Sequence, residues 1–147
     1  MPGLMRMNVG QDDRTWAENA RSHFPEITSY GYGLPEGVLN SWGDPLSDQD
    51  VERIITARNF LCGFKPLDKV SYRTQKTSGS PTSTALKNLL QKYSGVSVYE
   101  GDVILAASAL GIPTRNYAAC HAQIGVSKRQ YKDIREVIEY ERKHPTR

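Results

Sequence analysis

The sequence predicts a mostly α, compact helical domain with room for one small β-hairpin. Three observations predict it. Apolar residues recur at helical spacing in five separate stretches. Cap-forming residues precede several of these stretches, and Gly or Pro follows them. The composition, 38% hydrophobic and 24% charged over 147 residues, is that of one ordinary globular domain. No apolar run approaches the ~20 residues that a membrane span needs, so no membrane partner is expected. The opening Met1–Gly10 lacks the charged-then-apolar layout of a secretory signal. Cys62 and Cys120 are too few for a disulfide framework, and a reduced cytoplasmic setting follows as the expectation.

The elements follow in order. Residues 1–10 show neither period and read as a loose arm. A first helix is expected from Asp12 or Asp13, with Trp16, Ala17, Ala20 and Phe24 on one side and Pro25 beyond its end. Residues 25–46, rich in Gly, Pro, Ser and Tyr, suggest irregular packing around a short helical turn near Pro35–Trp42. Ser47 reads as an N-cap, with Asp48 and Asp50 in a first turn whose dipole favours anions. Val51, Ile54, Ile55 and Leu61 give this second helix its buried stripe, and Gly63 ends it. Ala85, Leu86, Leu89, Leu90 and Tyr93 mark a third helix closed by Gly95. Ser97 with Glu100 fits a capping box for a fourth. The run from Val103 to Leu110 should be buried on most sides before Gly111 and Pro113 stop it. Ser127 with Gln130 is a second capping-box pattern, and Tyr131, Ile134, Val137 and Ile138 supply the inner face of the last helix.

Tyr117–Val126 stays open. Tyr117, Cys120, His121 and Ile124 suit a helix, whereas Ala118, Cys120, Ala122, Ile124 and Val126 alternate as a half-buried strand would.

Charge is unevenly spread about a net +3. Residues 1–64 hold five basic and nine acidic side chains, a balance of −4. Residues 65–95 hold six basic and one acidic, and residues 114–147 eight basic and four acidic, balances of +5 and +4. Positive charge gathered in two segments is what a nucleic-acid footprint looks like. The chain therefore divides into an acidic helical segment, 1–64, packed on the same domain; a polar connection, 65–84; and a basic segment, 85–147.

Leu110-Gly-Ile-Pro-Thr-Arg-Asn-Tyr117 and Ile124-Gly-Val-Ser-Lys-Arg-Gln-Tyr131 match at a spacing of fourteen. Each describes an element ending at glycine, a tight turn and a new start. Residues 117–134, above all Gly125-Val-Ser-Lys-Arg-Gln-Tyr-Lys-Asp-Ile134, resemble the helix-turn-helix of DNA-binding regulators. His121 stands where such motifs carry a small residue. The resemblance implies a helix-turn-helix-like C-terminal segment whose last helix opens toward double-stranded DNA. Arg115, Lys128, Arg129, Gln130 and Lys132 are then the expected contacts, with Arg129 and Gln130 apt for guanine and adenine. Such proteins commonly act as homodimers, although no heptad seam is evident here. Residues 86–126, especially Tyr99–Gly111, resemble small uncharacterised phage and plasmid proteins. That similarity implies no activity, only a mobile-element setting, with Thr114–Val126 as a hairpin in a winged variant; gene control or maintenance of the element is the role expected of a DNA-binding protein there.

The alternative is a small module that binds or inhibits a host protein through the acidic front and the aromatic group Tyr30, Tyr32 and Trp42. Covering the core is the plainer reading of the same aromatics and the favoured one. No enzyme is expected. His23, His121 and His144 are scattered, so no metal site is read. The Lys76–Thr84 run lacks a phosphate-loop pattern. Glu100 and Asp102 have no lysine near them in sequence, and Glu100 is already used as a cap partner. Cys120 and His121, as chain neighbours, rarely meet in the geometry a nucleophile pair needs. No catalytic residue and no cofactor is implied.

Overall fold

The computed structural model describes residues 10–33, 42–71 and 79–145. Helix α1 (Gln11–His23) is followed by a two-stranded pair, β1 (Ile27–Thr28) and β2 (Gly31–Tyr32). Next come α2 (Asp48–Leu61), α3 (Ser83–Ser94) and α4 (Glu100–Ala109). The hairpin β3 (Thr114–Ala118) and β4 (His121–Ile124) leads to α5 (Lys128–Lys143). Both strand pairs are antiparallel. The mostly α domain with a small hairpin is what the chain adopts. The expected turn near Pro35–Trp42 lies, apart from Trp42, outside the described residues.

The helices start and stop for local reasons. Ser47 Oγ accepts from Asp50 N, and Asp50 returns the bond to Ser47 N, at 3.0 Å each way. Thr82 caps α3 in the same sense, and Gly95 closes it with φ +74°, a conformation that costs an L side chain. Val51, Ile54, Ile55 and Leu61 are buried as their spacing predicts.

Helix α4 is the hub. Gly101 through Ala107 are all buried, and α4 packs against α1, α2, α3 and both strand pairs. Its first turn lies so close to the β1–β2 turn that a Cβ at Gly101 would sit 1.7 Å from Thr28 O. Gly101 N donates to Ser29 O at 3.0 Å, which holds the contact.

The open question at Tyr117–Val126 resolves as a hairpin, the end of β3 turning at Ala119–Cys120 into β4. Ala122, Ile124 and Val126 are fully buried, so the alternation points inward, and Thr114 pairs Ile124 while Arg115 pairs Gln123. A helix before Gly125, as the helix-turn-helix resemblance required, is therefore not formed. The last helix emerges directly from a hairpin. The connection packs on that hairpin: Leu67 N donates to Gly125 O at 2.8 Å, and Ile124 N donates to Pro81 O at 2.9 Å.

Three local expectations need correction. The cap of α4 is not Ser97 with Glu100. Tyr99 is the N-cap, and its N–H donates to Asp102 Oδ2 at 2.8 Å, because the Glu100 carboxyl is drawn onto the start of α3. Ser127 does cap α5, but Gln130 does not reach back to it. Val137 is 57% exposed rather than inner, since the apolar side that α5 turns to the body is the stripe of Tyr131, Ile134 and Ile138.

Candidate functional site

At the start of α5, Lys128, Arg129 and Lys132 are exposed. Among the described residues no acid lies within ion-pair distance of them. Lys132 is one turn beyond Lys128 and Arg129, so the three share one side of the helix. Gln130 is not presented outward. Its Oε1 accepts from Lys65 N at 2.9 Å and its Nε2 donates to Gly63 O at 3.1 Å. Its expected adenine contact is thereby corrected, because both ends of the amide are spent on backbone. These bonds bring Lys65, itself exposed, to the mouth of α5. Arg115 is exposed on β3, with Nη1 donating to Gln123 Oε1 at 3.0 Å.

The aromatic trio is scattered. Trp42 is 4% exposed and donates Nε1–H to Asp102 Oδ1 at 2.9 Å, so it belongs to the core and not to a surface. Tyr32 is half-buried, its hydroxyl 2.5 Å from Thr114 Oγ1. Of the three only Tyr30 is exposed.

Two polar clusters escaped the sequence reading. In the first, Asp102 is fully buried and accepts from Trp42, from Tyr99 N and from Arg53 Nε at 3.0 Å. Burial pushes its carboxyl up to about 6 even though Arg53 pulls the other way. Arg53 also bonds Asp50 and lies over the Tyr99 ring at 4.4 Å. Burial likewise raises Asp50, but the N–H groups of Gly43 and Ser47 and the Arg53 guanidinium outweigh it and hold Asp50 below its ordinary value.

In the second cluster, one oxygen of Glu100 gathers three donors: Ser83 Oγ at 2.6 Å, Thr84 Oγ1 at 2.9 Å and His121 Nδ1 at 2.7 Å. Burial pushes the Glu100 carboxyl up. The bonds from Ser83, His121 and Thr84 more than offset this and hold it below its ordinary value. Ser83 Oγ also accepts from Ala122 N at 3.1 Å, which stitches α3 to β4. The only sequence signal was a second acid, Asp102, in the same first turn, which left Glu100 unneeded as a cap.

Among the described residues no group of His, Cys, Asp or Glu is placed to hold a metal ion, and no helix is long and apolar enough to cross a membrane. Compared with protein families, curated proteins and solved structures, the chain matches none.

Proposed function

We propose that this protein binds double-stranded DNA through the N-terminal end of α5, in the regulatory or maintenance role expected of such a protein on a mobile element. The observation that carries the reading is the unpaired trio Lys128, Arg129 and Lys132 in the opening turns of the helix. A helix N-terminus carries partial positive charge, so cations there are disfavoured and anions favoured. The first turn of α5 contains no acid to offset them. A phosphate backbone relieves that conflict, because it meets the side-chain charges and the open N–H groups together. Lys65 adds a fourth cation beside them, and Arg115, exposed on β3, is the expected contact from the hairpin.

The mode is phosphate gripping rather than insertion of a recognition helix. Gln130 is occupied, and a hairpin stands where the partner helix of a helix-turn-helix would be. Sequence selectivity should accordingly be modest, since phosphate contacts position a protein without reading bases.

The test is fluorescence anisotropy on a duplex of arbitrary sequence across a salt series. Each lost phosphate contact flattens the log–log salt slope by about 0.9. The double variant K128A/R129A should therefore lower the slope by about 2 and weaken binding at 50 mM salt, with its circular dichroism unchanged. A duplex affinity and slope identical to wild type would remove this face from DNA binding.

A further inference from the structure

The cluster around Glu100 does more than the fold requires. Ser83 and Thr84 already satisfy the buried carboxylate, yet a third donor, the His121 imidazole, is fixed on the same oxygen. A structural imidazole is normally covered, whereas this side chain is 45% exposed against 12% for Glu100. An ionised carboxylate can only accept, so Nδ1 carries the proton and the neutral ring presents its lone pair at Nε2. Among the described residues nothing bonds to Nε2. The result is an oriented base aimed outward, with the carboxylate placed to stabilise the cation that forms when it takes a proton.

Such a base needs a nucleophile to activate, and the two hydroxyls of its own cluster cannot serve. Ser83 is fully buried, and its hydroxyl and that of Thr84 are both turned onto Glu100. A nucleophile carried by the substrate itself fits this arrangement. RNA brings one, because each 2′-hydroxyl lies beside the phosphodiester it can attack. The surroundings suit that polymer. The exposed Tyr117 ring is 6.3 Å from the imidazole, where an unpaired base can stack on it. Two residues earlier on the same strand, Arg115 is braced by Gln123 and is apt for a phosphate.

We propose that His121 is the general base of a metal-independent cleavage of single-stranded RNA, with Glu100 as its positioning residue. Nε2 removes the 2′-hydroxyl proton, the O2′–P bond forms and the P–O5′ bond breaks. The departing 5′ oxygen takes a proton from water, and the imidazolium returns its own proton to the hydroxide left behind. The products are a 2′,3′-cyclic phosphate and a 5′-hydroxyl end.

The experiment uses the full chain in EDTA and a labelled single-stranded oligodeoxynucleotide carrying one ribonucleotide. Wild type should cut at the ribonucleotide alone, leaving a cyclic phosphate, and should spare the all-deoxy strand. H121A should lose at least about a hundredfold in rate while keeping its circular dichroism spectrum and its duplex-DNA affinity. E100Q should slow the cut and move the acid limb of the pH–rate profile toward lower pH, with E100D restoring part of the rate. An uncut ribonucleotide strand overturns the assignment, as does equal cutting by wild type and H121A. Duplex DNA has no 2′-hydroxyl, so this inference and the α5 reading fail on separate measurements.

Discussion

Asp102 is held on every side. It is a fully buried carboxyl tied to Arg53, Trp42 and the Tyr99 backbone. Its folded-state pKa of about 6 lies above the ordinary 3.8, so between those values the folded state holds more protons than the unfolded state. The contribution of Asp102 to stability is therefore full at the acid end and falls as pH rises from about 4 to about 6. Glu100 and Asp50, both lowered, act in the opposite sense, giving stability at higher pH that is lost on acidification. Asp102→Asn should remove the first effect and leave the second, so that urea-derived stability climbs more steeply with pH over that window. The same variant removes one of the two carboxylates that neutralise Arg53, with Asp50 still bonded to it, and should cost about 1–3 kcal/mol near neutral pH. An unchanged pH profile would show that Asp102 titrates alike in the folded and unfolded protein.

Among the helices, α5 is the least embedded and α4 the most. Seven consecutive residues of α4 are buried, whereas Ile138 is the only buried residue of α5. The attachment of α5 consists of the Ser127 cap, the Gln130 bonds, the Tyr131–Ile134–Ile138 stripe and an exposed Lys92–Glu139 pair at 3.9 Å. Exposed pairs of that kind contribute little, so Ile138 carries most of the hold on the outer half. Ile138→Ala should weaken it by about 2 kcal/mol, the low end for removing a buried aliphatic at a rim. Hydrogen exchange should then show lost protection along α5 with α4 unaffected. Equal loss in both helices would mean that α5 is integral to the cooperative unit.

On the scale of the whole molecule, the acidic front and the basic back share one core. The apolar cluster runs from Ala17 on α1 to Val126 after β4, with α4 packed against α2 at its centre. A piece comprising residues 85–147 would expose the apolar faces of α4 that α1 and α2 cover. Such a piece should show no cooperative thermal transition and no near-ultraviolet dichroism, whereas the full chain should show both. A folded, soluble 85–147 fragment would contradict the single shared core. Joining the halves also matters for the basic face, since Lys65 is held at the start of α5 by the Gln130 bonds to the backbone after α2 and by the pairing of Pro66 and Leu67 with the 125–126 backbone.

By itself the sequence determined the helices, their caps at Ser47 and Ser127, the stop at Gly95 and the buried stripe of α2. Each of these is decided within about four residues by periodicity, capping and the left-handed backbone that glycine tolerates. It also marked Lys128, Arg129 and Lys132 as outward cations, because positions off an apolar stripe face solvent. Tertiary structure alone chose strand over helix at His121–Ile124, where two periods fitted equally and the deciding partners lie on β3 and the 81–82 backbone. It alone paired Glu100 with His121 across 21 positions, Trp42 with Asp102 across 60 and Gln130 with Gly63 across 67. A polar side chain is satisfied by whatever the packed core brings within 3 Å, and that neighbour has no fixed spacing in the chain.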